Sequence, residues 1–233
     1  MYLLSLIIIL SYIVGSIPTG LLVGRWFKGI DIRRHGSGNI GSTNVMRTLG
    51  WKLGLLVQTG DIAKGLFAVL VIARLHYGDF PFTNRTPFDD ITIVQIIAGA
   101  AAVIGHIFSV FLNFRGGKGI NTAAGMLVGI APIDISIAVI VFVIVLLSTG
   151  YVSLGSLSAA TAFPTTMFIR FNVFNVDIPS YHTLILFSIA TTLLLYYAHR
   201  SNIRRLLAGQ ENRFNRVKLF GKKMGSSMKT FLF

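Results

Sequence analysis

The chain has no cysteine. That absence removes a disulfide scaffold, thiolate metal ligands and any thioester carried on the protein. Charge is scarce too: 12% of the 233 residues are charged, about half the share of an average soluble domain, and 8 acids face 21 Lys and Arg. No His, Asp or Glu cluster has metal-ligand spacing, so no metal and no other cofactor is expected. No Gly-Lys-Ser/Thr closes any glycine-rich stretch, so there is no Walker loop. There is no convincing internal repeat, no low-complexity tract and no soluble domain.

What fills the chain is apolar sequence, 53% of the residues. Runs approaching the ~20 residues needed to cross a bilayer recur along most of its length. The pattern predicts an all-α, polytopic membrane protein of seven transmembrane helices. These are Leu3 to Gly24, Leu53 to Leu75, Ile91 to Phe114, two shorter spans dividing Thr122 to Thr149 at Pro132 and Asp134, Tyr151 to Ile169, and Tyr181 to Ala198. The opening segment lacks a basic n-region and a small-residue cleavage site, so it is read as a helix and not a signal peptide.

Lys and Arg set the orientation. The segments Arg25 to Lys52, Arg115 to Lys118 and Arg200 to the end hold 6, 2 and 9 of them, 17 of the 21. Those segments are therefore cytoplasmic, with the N-terminus outside and the C-terminus inside. Five of the eight acids, Asp79, Asp89, Asp90, Asp134 and Asp177, fall on the outer side, as do Arg85 and Arg170. The net charge of +13 then needs no nucleic acid, because basic segments beside an anionic leaflet account for it. Residues 1–211 read as one membrane domain, and 212–233 as a basic tail touching the membrane surface.

Three polar segments on the inner side can carry chemistry. The first runs Gly36-Ser37-Gly38-Asn39-Ile40-Gly41-Ser42-Thr43-Asn44-Val45-Met46-Arg47. Its glycines free the backbone to converge N–H groups, Ser42, Thr43 and Asn44 are N-cap types, and Arg47 adds a planar cation one turn on, as an anion cradle requires. A plain polar turn would have the same spacing. The second runs from Gly105 and His106 to Arg115-Gly116-Gly117-Lys118-Gly119, where glycines beside cations suit oxyanions and also suit a positive-inside anchor. The third is His199-Arg200-Ser201-Asn202-Ile203-Arg204-Arg205 continuing to Glu211; helical spacing would put His199, Asn202 and Arg205 on one face, and a snorkelling helix end is the plainer reading. Asp61 and Lys64, three apart within the second span, read as a charge pair that scaffolds the site. His106, also within a span, reads first as an interhelical hydrogen-bonding group. No histidine is followed by an acid five positions later, which excludes the His-x4-Asp arrangement of acyltransferases acting on acyl-CoA or acyl carrier protein.

Taken together these segments resemble the bacterial acyl-phosphate:glycerol-3-phosphate acyltransferases, the PlsY-type membrane family. The family pattern G-S-G-N-x-G-x-T-N-x-x-R is matched at Gly36 to Arg47, D-x-x-K-G at Asp61 to Gly65, and H-x-x-N-I-x-R-L-x-x-G-x-E at His199 to Glu211; Gly105 to Gly119 is similar to the remaining motif. Ser109 stands where the family usually has proline, and Asn121-Thr122 where it usually has Ala-Thr. The resemblance implies a seven-helix bundle in the bacterial cytoplasmic membrane with its site on the cytoplasmic side. It implies transfer of a fatty acyl group from acyl phosphate to the 1-hydroxyl of glycerol 3-phosphate, giving lysophosphatidate and phosphate, with a soluble acyl-phosphate-forming enzyme as neighbour. On this reading Ser37, the backbone from Gly38 to Thr43, Lys118 and the Gly117 N–H hold the donor phosphate. Arg47, His199, Asn202 and Arg205 bind glycerol 3-phosphate, and His199 is the candidate base. Gly36, Asn39, Gly41, Asn44, Gly116, Gly119 and Glu211 complete the substrate-binding set. An anion or lipid-phosphate transporter is the alternative of another class, and a thioester-dependent acyltransferase a third.

Overall fold

The computed structural model describes residues 2–76 and 90–211; Asp79, Arg85, Asp89 and the tail from Asn212 lie outside them. Ten α-helices are described: α1 Tyr2–Ser16, α2 Thr19–Lys28, α3 Ser42–Leu49, α4 Trp51–Phe67, α5 Asp90–Ile107, α6 Ile120–Ile130, α7 Pro132–Thr149, α8 Val152–Asn172, α9 Tyr181–Ala198 and α10 Arg200–Leu207.

Five stretches are long and apolar enough to cross a bilayer: Tyr2–Lys28, Trp51–Leu75, Asp90–Leu112, Pro132–Thr149 and Val152–Asn172. A sixth forms if α9 and α10, bent by 61°, count as one. Expectation and structure part at 122–149. The chain does break before Pro132, but the first half is α6, only 11 residues. At 1.5 Å per residue that is about 16 Å, half the ~30 Å hydrocarbon core.

Small residues let the helices around the polar loops approach closely. A Cβ on Gly15 or Gly105 would strike the Ala102 or Tyr12 carbonyl across the α1–α5 contact, and one on Gly65 or Gly125 the Thr122 or Ile62 carbonyl across α4–α6. Without a hydrophobic force between helices in lipid, such close backbone contact is a main source of association. α7 packs on α8 and α8 on α9, with Met167 and Phe163 buried in their core. Ile133, Val139, Ile140 and Ile144 stay exposed on α7, as a lipid-facing helix requires.

Ser109 makes its own case for replacing proline. With φ −63° it keeps the backbone angle proline would impose, and its hydroxyl donates to the Ser16 carbonyl at the end of α1. The second polar loop is thereby tied to α1.

Candidate active site

The first loop leaves α2 at Gly29 and makes a short 3-10 turn, Ile32–Arg34, capped by Asp31, whose side chain accepts from the Arg33 N–H. It then turns through Gly36 (φ +60°) and Gly38 (φ +72°), angles that side-chain-bearing residues rarely adopt. Asn44 holds that shape. Its Oδ1 accepts from the Ser37 N–H at 2.9 Å, and its Nδ2 donates to the carbonyls of Asn39 at 2.8 Å and His35 at 3.0 Å. Asn39 Oδ1 in turn accepts from the Gly41 N–H at 2.8 Å. Asn44 is thus a staple of the loop rather than a helix cap. The N-cap of α3 is Gly41, and no side chain caps that helix.

The second loop folds back on the end of α5. The Gly116 N–H donates to the Ile107 carbonyl and the Gly117 N–H to the His106 carbonyl, each at 2.9 Å. This corrects the expectation that the Gly117 N–H holds a phosphate: the turn spends that donor on closing α5. A Cβ on Gly117 would also lie 2.2 Å from His106 Nε2, so only glycine fits. Gly119, left-handed at φ +76°, then starts α6.

The two loops meet over a buried floor. Asp61 Oδ1 accepts from Lys64 Nζ at 2.7 Å and from the Thr19 hydroxyl at 2.7 Å, with His106 Nδ1 at 3.6 Å. Lys64 donates also to the Ile17 carbonyl at 2.6 Å. The carboxylate and ammonium therefore neutralise one another, out of water and with further hydrogen bonds, the condition for tolerating a buried pair.

Above this floor is a cavity of about 360 Å³ lined by Ser37, Asn39, Gly41, Ser42, Thr43, Asn44, Arg47, Asp61, His106, Lys118, Gly119, Ile120 and Asn121. Arg47 and Lys118 have no carboxylate partner among the described residues, and the lone acid in the lining is held by Lys64. Two uncompensated cations beside glycine-rich backbone and hydroxyls make an oxyanion site. Ile120 brings the apolar surface of α6 to its edge.

The third segment forms a separate cluster. α9 ends at Ala198 and α10 begins at Arg200, so His199 sits at the bend, its Nδ1 2.9 Å from the Leu195 carbonyl. A carbonyl only accepts, so this bond puts the proton on Nδ1 and leaves Nε2 as the lone-pair nitrogen of the neutral ring. Asn202 donates to Glu211 Oε1 at 3.0 Å and to the Ser153 hydroxyl at 2.8 Å, and Arg205 donates to Glu211 Oε2 at 2.6 Å. Ser153 also donates to Glu211 Oε1. Hydrogen bonds from Ser153, Asn202 and Arg205 pull the Glu211 carboxyl down to about 2. None of these residues lines the cavity that holds Arg47 and Lys118.

Sequence reasoning missed Thr19, Asn121 and Ser153. Asn121 replaces the family's alanine and donates to the Ser42 hydroxyl at 3.0 Å, joining α6 to α3 at the cavity wall. Ser153 lies in an apolar span with no local signal.

Fold and site together define an all-helical membrane protein with a cation-lined oxyanion cavity where two glycine-rich loops meet. A sequence profile described as glycerol-3-phosphate acyltransferase matches residues 5–209. Glycerol-3-phosphate acyltransferases of Chlorobaculum tepidum and Chlorobium phaeobacteroides are each 44% identical, over 93% and 89% of this chain and 97% and 94% of their own. Two crystal structures of PlsY, an integral membrane glycerol 3-phosphate acyltransferase, in its glycerol 3-phosphate and lysophosphatidic acid forms, align with TM-score 0.69 at 31% and 32% identity, covering 94% of this chain and 99% of theirs. The chain belongs to the glycerol-3-phosphate acyltransferase family, as an integral membrane enzyme of the PlsY type, and the resemblance drawn from its motifs is borne out.

Proposed function

We propose that this enzyme takes its acyl group from acyl phosphate, delivers it to the 1-hydroxyl of glycerol 3-phosphate, and releases lysophosphatidate and inorganic phosphate. The observation that carries the reading is the cavity itself, with Arg47 and Lys118 uncompensated beside glycine-rich backbone and an apolar edge. Acyl phosphate is a mixed anhydride with an activated carbonyl and a good leaving group. The protein's task is then to place two anions whose mutual repulsion its cations offset.

The hydroxyl oxygen attacks the carbonyl carbon, the bond from that carbon to the phosphate oxygen breaks, and the hydroxyl proton passes to a base. Ser37, the lining from Gly38 to Thr43, and Lys118 hold the donor phosphate. Arg47 serves glycerol 3-phosphate; of the third segment's expected contributors, Asn202 and Arg205 are spent on Glu211 and hold the end of α10, which leaves His199 to meet the substrate from outside the lining of that cavity. His199 Nε2 is the candidate proton acceptor, and a substrate phosphate is the other group able to take it. The apolar chain stays among the helices, where each buried methylene contributes about 0.8 kcal/mol, so the donor needs no carrier protein.

The reading carries a topology with it. Seven membrane-embedded segments, α6 being the short one, place the N-terminus outside and the site on the cytoplasmic face of the bacterial membrane. The excess of Lys and Arg there supports this arrangement. Residues 1–211 act as one domain, the tail 212–233 rests on anionic lipid, and a soluble enzyme forming acyl phosphate is the partner this donor requires.

Detergent-purified protein given glycerol 3-phosphate with palmitoyl phosphate or, separately, palmitoyl-CoA tests the donor. Lysophosphatidate from the acyl phosphate alone is expected; product from the thioester alone would overturn it. His199→Ala that raises KM more than it lowers kcat would hand the proton to a substrate phosphate, whereas lost turnover at unchanged KM supports the base.

A further inference from the structure

Ser37 and Asn39 line a second cavity as well as the first, so the two share a wall. The second, about 720 Å³, lies among the loops flanking the spans: the turn Ile32–Arg34, the glycine-rich stretch after it, and Leu112 to Gly116. It has no counterpart of the Asp61 and His106 floor and is lined by three guanidinium groups, Arg33, Arg34 and Arg115, against one carboxylate, Asp31.

That carboxylate is fully committed. Asp31 accepts from Arg33 Nη2 at 2.6 Å, from Arg33 Nε at 3.0 Å and from the Arg33 backbone N–H at 3.0 Å, and Arg25 lies 3.8 Å away. The Arg33 guanidinium keeps this carboxyl well below the usual carboxylate range, so Asp31 stays ionised opposite Arg33 at any ordinary pH. Arg34 and Arg115 are exposed, and neither has a carboxylate partner among the described residues. Each is a planar fork able to bind phosphate bidentately, and Ser37, Asn39 and Asn113 add neutral polar groups around them.

We propose that this second cavity is an outer phosphate site, in which Arg34 and Arg115 hold a water-soluble phosphate dianion, glycerol 3-phosphate arriving or inorganic phosphate leaving, one wall away from the reacting cavity. Its loop setting favours a soluble ligand, and the apolar edge at Ile120 belongs to the other cavity. Two cationic cavities in series raise the local concentration of a phosphate substrate and give the released phosphate a place to go. The identity of the two phosphates rests on the function proposed above; the existence of the site does not.

Calorimetric titration of the purified protein in neutral detergent at low salt, with inorganic phosphate and separately with glycerol 3-phosphate, counts the sites. The double variant Arg34→Gln/Arg115→Gln should bind one phosphate per chain fewer than the wild type. In steady state the double variant should raise KM for glycerol 3-phosphate by at least about tenfold, the effect of losing even one charge-assisted hydrogen bond, with kcat within about twofold. The effect should shrink as salt is added, and Arg34→Lys/Arg115→Lys should recover the salt-dependent part. Lys52→Gln removes one charge outside both cavities and should change neither count nor KM. The same number of phosphates bound by wild type and Gln variant, or a fall in kcat at unchanged KM, would each overturn the proposal. Displacement of the outer phosphate by phosphatidylglycerol in mixed micelles would assign the site to a lipid headgroup and overturn it as well. Because the titration involves no acyl transfer, failure to make lysophosphatidate from acyl phosphate would count against the donor reading and leave the site count standing.

Discussion

The two clusters around the family's motifs settle their charges in opposite ways. Around Glu211 one carboxylate gathers Ser153, Asn202 and Arg205 and is satisfied inside the protein. In the cavity of Arg47 and Lys118 the single carboxylate, Asp61, is spent on Lys64, and among the described residues Arg47 and Lys118 have no carboxylate partner. The first arrangement holds a helix end in place. The second has binding capacity to give to a ligand, because cations arranged without an anion are repaid only when one arrives.

Removing the floor should break that contrast most severely. Asp61→Leu leaves Lys64 as an unpaired buried charge and should cost about 3–5 kcal/mol in reversible unfolding measured in detergent. Asp61→Leu/Lys64→Met should regain most of it, since exchanging a whole buried pair for apolar groups is often neutral. A single variant melting with the wild type would show the pair to be idle. Arg47→Ala comes next, with kcat/KM expected to fall about 10- to 100-fold through loss of a charged hydrogen bond. Arg47→Lys sharpens the test: it restores the charge without the fork, and unchanged kinetics would dispose of bidentate binding. Asn44→Ala acts at one remove. It should cost about 1–2 kcal/mol, raise KM as the Ser37 to Gly41 loop loses its shape, and speed hydrogen exchange at the Ser37 amide.

Legibility followed the same division. Apolar run length reported the spans, because a bilayer imposes one length on every crossing helix. It divided 122–149 into two shorter spans, and the chain does break before Pro132, but run length alone could not show that α6 packs against α4 and is too short to cross by itself. The glycine-rich loops were legible as anion cradles, and Asp61 and Lys64 as partners from their spacing. The direction of individual hydrogen bonds was not. Asn44 looked like a ligand contact and staples the loop, and Gly117 looked like a donor and closes α5, because pattern gives residue types and not which partner each group finds first. Ser153 reaches Asn202 across 49 positions, a separation no local pattern encodes.

The smallest expected effect tests the satisfied side. Glu211 has its carboxyl lowered from 4.5 to about 2 by hydrogen bonds from Ser153, Asn202 and Arg205. A depressed folded value means that its contribution is fully present above the unfolded value near 4.5 and is lost as pH falls through the folded one. The wild type should therefore lose melting temperature between about pH 4.5 and 2 by an increment that Glu211→Gln lacks, while above pH 5 the two curves run parallel. Hydrogen exchange in α10 should show the same window, since Asn202 and Arg205 lose their acceptor together. If Glu211→Gln instead keeps the full acid-dependent increment, the carboxylate does not hold that helix, and the contrast between a satisfied and an open cluster fails from the satisfied end.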